Sequence, residues 1–121
     1  MPNKVVVNLA TGLEDEERVM IAFLVGTAAL DKGKQVTMFL TKDAVKLGLP
    51  GHAQGTACEG CPPIERLFGQ YADGGGELLL CPFCFNSRGL EGSEIVDNAR
   101  IAGATPLWEW IGDDDATVFS Y

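Results

Sequence analysis

Three short runs of aliphatic and β-branched residues, each followed by a segment with helical features, constrain this chain more than anything else in it. They are Lys4-Val5-Val6-Val7-Asn8-Leu9, Gln35-Val36-Thr37-Met38-Phe39-Leu40 and Glu77-Leu78-Leu79-Leu80-Cys81. None carries a 3.6-residue period, so each reads as a buried strand. The third is apolar on both faces, which predicts a place at the centre of a sheet. After the first run, Thr11 precedes Glu14 by the three residues of a capping box, and Glu14 to Glu17 are all acidic. Negative charge there suits the positive end of a helix dipole. Residues 14–32 are apolar around most of a helical surface, which predicts cover on more than one side, and Gly33 suits the stop.

After the second run, residues 41–47 read as a short amphipathic helix closed near Gly48, and residues 50–60 as a glycine-rich loop. Pro62 and Pro63 then open a helix whose apolar face is Ile64, Leu67, Phe68 and Tyr71, with Gly74-Gly75-Gly76 ending it. In the last third, Ser93 is placed to cap a short helix to Asp97, and residues 100–102 form a brief strand. Thr105-Pro106 reads as N-cap and first position of a helix to Gly112, and residues 116–121 as a last strand. Strands alternating with helices predict an α/β fold: one domain over residues 1–121, with about five mostly parallel strands and helices on both faces.

Composition removes several function classes. The net charge is −8, which repels phosphate backbones and anionic lipid, so nucleic acid and membrane surfaces are not expected partners. The longest unbroken apolar run is the seven residues 19–25, against about 20 for a membrane span. No basic segment with an apolar stretch opens the chain, so a secretory signal is not expected and the cytoplasm is the expected location.

The four cysteines carry most of the chemical information. Cys58-Glu59-Gly60-Cys61 and Cys81-Pro82-Phe83-Cys84 are two C-x-x-C pairs. In one reading they supply four thiolates to a tetrahedral Zn, giving a metal-stabilised binding or regulatory module without turnover. Such a metal would tie the 50–60 loop to the sheet, although a chain with its own core does not need the staple. In the other reading Cys81, at the end of an apolar strand, sits where open α/β sheets gather ligands. A helical turn after it would aim free N–H groups at the sulfur and favour thiolate. Arg88 would assist if the chain folds back, Cys84 would resolve the product, and Cys58 with Cys61 would form a second pair for exchange. That reading requires no cofactor. Cys-Pro-Phe-Cys is similar to the glutaredoxin pair, but it follows the third strand here rather than the first, so a thioredoxin fold is not expected. The bland alternative, reduced cysteines used as small hydrophobes, fits two such pairs poorly.

Other features are better explained by structure. His52, the one histidine, lies in a glycine-rich loop and reads as solvated. Thr11-Gly12 reads as a cap before it reads as an anion site, and Gly74-Gly75-Gly76 as a turn rather than a phosphate cradle. Asp113-Asp114-Asp115 reads as a solvated turn, and Trp108 and Trp110 as packing or oligomer contacts.

Taken in order, Lys4-Val5-Val6-Val7 before an acidic helix start, residues 33–40, Gly75-Gly76-Glu77-Leu78-Leu79-Leu80-Cys81, Ser87-Arg88-Gly89 and residues 116–121 resemble the DsrE/DsrF-like family over nearly the whole chain. The resemblance implies an α/β fold of about five strands, assembled as dimers, trimers or hexamers, and a helix over 105–112. It implies a role linked to sulfur relay, with a sulfur donor or acceptor protein as partner. Cys81 matches the position that carries persulfide sulfur in relay members, with Arg88 in the nearby Arg-Gly segment. Cys58, Cys61 and Cys84 exceed what a single-cysteine carrier needs, which makes dithiol redox chemistry or metal binding more plausible here. The expected function is therefore a sulfur carrier or thiol–disulfide exchanger, possessing sulfurtransferase or thiol-redox activity if it is an enzyme.

Overall fold

A computed structural model describes residues 3–121. Its strands are β1 (Lys4–Leu9), β2 (Gln35–Leu40), β3 (Glu77–Leu80), β4 (Ala99–Ile101) and β5 (Ala116–Ser120), and its α-helices are α1 (Glu16–Asp31), α2 (Ile64–Asp73), α3 (Pro82–Ser87) and α4 (Ala104–Ile111). The sheet is parallel throughout, in the order β4-β3-β2-β1-β5. The chain steps from β1 to β4 in one direction and then jumps to the far side of β1. Right-handed crossovers on both sides of that reversal put helices on both faces.

Register fixes which side chains face which layer. Val5, Val7, Leu9, Val36, Met38, Leu40, Leu78 and Leu80 share one face and join Val19, Ala22, Phe23, Leu67 and Tyr71 of α1 and α2 in the core. Val6, Thr37 and Leu79 point the other way and are also buried, as expected of strands covered on both sides. On that second face the Lys4 ammonium donates to the carbonyls of Trp110 (2.7 Å) and Ile111 (3.1 Å) at the end of α4.

Five details differ from the sequence reading, each for a local reason. The central strand is β2; β3 lies between β2 and β4, so it is covered on both faces without being central. The cap of α1 is Asp15, whose carboxylate accepts from the Arg18 amide, while Leu13–Asp15 forms a 3₁₀ turn ahead of it. Lys42–Gly48 is likewise 3₁₀ rather than α. Residues 93–97 are not helical: the Val96 amide is drawn to the Gly48 carbonyl at 2.9 Å, and Ile95 and Val96 pack on the core as irregular chain. The α4 helix begins at Ala104 after Gly103, so Thr105 and Pro106 lie inside its first turn.

Candidate functional site

The carboxyl end of β3 holds the first thiol. The Cys81 amide donates to the Leu40 carbonyl at 3.0 Å, continuing the β2–β3 ladder by one residue. Pro82 then occupies the first position of α3 with Cys81 as its N-cap residue. The Phe85 amide closes the turn on the Cys81 carbonyl at 2.9 Å, and the Phe85 ring is buried in the core. Cys84 lies three residues along a helical turn from Cys81, a spacing that puts both on one side of the helix. Both cysteines are free and half-buried, neither sealed in hydrocarbon nor fully exposed. Phe83 between them is 84% exposed.

Arg88 lies just past α3, but its bonds go elsewhere than to sulfur. Its Nε donates to Asp43 Oδ1 at 2.6 Å, and its Nη1 donates to the Cys84 carbonyl at 3.2 Å and to Ser87 Oγ at 3.4 Å. Asp43 stands in the 3₁₀ segment after β2 and also neighbours Lys46. The Arg88 hydrogen bond, followed by the charge of Lys46, holds the Asp43 carboxyl below its ordinary range. Asp43 did not stand out in the sequence. An acidic residue at the end of a strand–turn unit, with an arginine shortly after a C-x-x-C, is the only hint the sequence offers.

The neighbouring loops press against the same segment. Lys42 has φ +54°, the one non-glycine positive φ among the described residues. Such a conformation costs about 1–3 kcal/mol and persists only where its surroundings impose it. A Cβ on Gly12 would lie 2.9 Å from the Asp43 carbonyl oxygen, so the loop after β1 meets the loop after β2 at backbone contact. The Gly12 amide is taken by Glu14 Oε1 at 2.8 Å, and an anion there would compete with the chain's own carboxylate. His52 is held below the ordinary imidazole value by desolvation and then by Lys46.

The two C-x-x-C pairs differ in state. Cys58 and Cys61 are joined by a disulfide across the turn Cys58-Glu59-Gly60-Cys61, in which the Cys61 amide donates to the Cys58 carbonyl at 3.0 Å. The Cys58 sulfur rests 3.8 Å from Met20 Sδ on α1. Among the described residues no group of three or more His, Cys, Asp or Glu side chains gathers as a metal ligand set. A disulfide has no thiolate to offer, so a four-cysteine Zn site would need Cys58 and Cys61 reduced. Of the remaining candidates, Asp114 pairs with Lys4 at 2.9 Å and Trp110 packs under the same ammonium at 5.3 Å. Trp108 is 70% exposed.

Comparison with known proteins agrees with this geometry. No curated protein matches the chain. Among solved structures, the ychN protein from E. coli superposes with a TM-score of 0.77 at 21% identity, covering 98% of this chain and 99% of that one. A conserved protein of unknown function, BT1422 from Bacteroides thetaiotaomicron, superposes with a TM-score of 0.62 at 18% identity, covering 98% and 95%. Both show the fold. No described helix is long and apolar enough to cross a membrane. The profile of the DsrE/DsrF-like family matches residues 3–119, and the chain belongs to that family.

Proposed function

We propose that the protein is a cysteine-based sulfur carrier or thiol–disulfide exchanger, with Cys81 as the attacking thiol and Cys84 as the resolving one. The observation that carries this reading is the pair of free, half-buried thiols one turn apart at the carboxyl end of β3. Family membership supports a role related to sulfur relay.

The chemistry balances without a cofactor. The Cys81 thiolate attacks the outer sulfur of a donor persulfide, and the donor leaves as its thiolate. Cys81 then carries the persulfide. An acceptor thiolate takes the outer sulfur and regenerates Cys81. Alternatively, the Cys84 thiolate attacks Cys81 Sγ and expels hydrosulfide, leaving a Cys81–Cys84 disulfide; the sulfane sulfur gains the two electrons that the dithiol loses. With a disulfide substrate, the same two attacks release the substrate's two thiols in turn. The reading places the protein in a reducing compartment such as the cytoplasm, where Cys81 and Cys84 stay reduced. Its partner is a sulfur donor or acceptor protein reaching the edge marked by Phe83. Exposed apolar residues on α1 and β5 support assembly with further copies of the chain.

Alkylation of the reduced protein near neutral pH, mapped by mass spectrometry, tests the reading. Cys81 is expected to be modified first. A Cys81 no faster than a small-molecule thiol, together with Cys81→Ser accepting sulfur as well as the parent, would overturn it.

A further inference from the structure

The α3 helix has six residues, too few to be stable alone. Its geometry, and with it the relation of Cys84 to Cys81, is imposed from outside. Three ties do this. The Cys81 amide is fixed to the Leu40 carbonyl and the Phe85 ring is buried, which together hold the start and middle of the helix. The end is held at the Cys84 carbonyl, which accepts from Ser87 Oγ at 3.1 Å and from Arg88 Nη1 at 3.2 Å, while Arg88 Nε is fixed 2.6 Å from Asp43 Oδ1. Arg88 has no second carboxylate partner among the described residues. Asp43 is itself held by the turn at Lys42 and by the contact of its carbonyl with Gly12. The chain accepts a left-handed non-glycine residue next to the one carboxylate that reaches Arg88.

We infer that Asp43 is a positioning residue for the thiol pair: through Arg88 it holds the Cys84 carbonyl, and so the helical turn that keeps Cys84 within reach of Cys81. The inference rests on the proposed roles of Cys81 and Cys84 and adds a residue to them. It locates the effect in one step. Attack by Cys81 needs only its own sulfur and an incoming substrate, whereas closure by Cys84 needs the turn. Loss of the Asp43 carboxylate therefore weakens closure more than attack. A merely structural role would instead slow both steps in proportion to lost folding.

An aromatic disulfide separates the steps. The Cys81 thiolate attacks it, forms a mixed disulfide and releases one coloured thiol. Cys84 then attacks Cys81 Sγ, forms the Cys81–Cys84 disulfide and releases the second. The full chain carrying Cys58→Ser and Cys61→Ser is the parent, so that two thiols react. In Asp43→Asn the second release is expected to slow about tenfold, a factor equivalent to about 1.4 kcal/mol, with the first release within about threefold of the parent. In Asp43→Glu, which keeps the carboxylate, the second release is expected to recover at least in part, and Arg88→Met is expected to behave as Asp43→Asn does. An unchanged second release in Asp43→Asn overturns the inference, as does equal slowing of both releases. A first release in the parent no faster than that of a small-molecule thiol instead overturns the proposed function; exchange protection of the residue 84–88 amides then still reports whether Asp43 holds the turn.

Discussion

The amide of Cys81 donates to the carbonyl of Leu40 at 3.0 Å, so the first thiol of the Cys81–Cys84 pair stands on the last rung of the β2–β3 ladder. Its backbone is as fixed as the sheet, and its side chain is half-buried against the core. The second thiol is held less directly, through the helical turn whose end Arg88 fixes at the Cys84 carbonyl. This asymmetry suits an attacking thiol fixed by the sheet and a resolving thiol kept within reach by the tied turn. Removing the resolving thiol should trap the intermediate. Cys84→Ser is expected to accumulate Cys81 carrying one extra sulfur after exposure to a persulfide donor, and Cys81→Ser to carry none there, as read by intact and peptide mass. A Cys84→Ser protein that retains no sulfur while still consuming donor would contradict the assignment.

Tyr71 shows how the scaffold fixes the opposite, amino end of β3. Its buried hydroxyl donates to the Glu77 carbonyl at 2.7 Å, and a Cβ on Gly76 would clash with the face of the Tyr71 ring. Burial pushes the phenol strongly up from its ordinary value, so it stays a neutral donor across the accessible pH range. Tyr71→Phe leaves the carbonyl without this donor and is expected to cost about 1–2 kcal/mol. Gly76→Ala must displace a packed ring and is expected to cost about 1–3 kcal/mol. Urea unfolding midpoints measure both; a Gly76→Ala protein as stable as the parent would show that the α2–β3 turn is looser than drawn.

The fold was legible because periodicity and burial agree in its strongest elements. The runs 4–9, 35–40 and 77–80 are apolar on both faces and became β1, β2 and β3; Ile64, Leu67 and Tyr71 became the buried face of α2. The sequence reading failed where a local pattern met a distant partner. Ser93 had the chemistry of a cap, but the Gly48 carbonyl claimed the Val96 amide instead. Of the site, the cysteines were legible from spacing, yet spacing alone left a metal cage and thiol chemistry both open. Asp43 was invisible because its role comes from a contact 45 residues away in sequence, which no local pattern encodes.

His52 gives the fold a pH signature. Desolvation and Lys46 lower its pKa from the ordinary 6.5, so the folded state holds the neutral imidazole more firmly than the unfolded chain does. Below pH 6.5 the unfolded chain therefore binds more protons, and stability falls as the pH drops toward the folded-state value, then levels. The contribution is fully present above pH 6.5. Asp43 acts further down: its depressed pKa gives stability that is present above 3.8 and lost as acid protonates it. Unfolding free energies from pH 8 to 5 should decline in the parent and flatten in His52→Gln. An identical slope in both would assign the decline to other groups.

Assembly is the last expectation. In β5, Val118 is 59% and Phe119 38% exposed, and on α1 Ile21 and Leu24 are 39% and 44% exposed. Between them lies an open groove of about 490 Å³, lined by Val25, Ala28, Thr117 and Phe119 among others. β5 is also an edge strand, with no strand beyond it among the described residues. A long apolar edge left open invites pairing with another chain, and a chain of net charge −8 must bring copies together through apolar area rather than charge. Light scattering is expected to give a particle mass that is a multiple of the chain mass. Phe119→Asp, which puts a carboxylate into the groove, is expected to shift the population toward single chains. A single-chain mass for the parent at every concentration would remove the argument for a homo-oligomer and leave the exposed residues of α1 and β5 to a different partner.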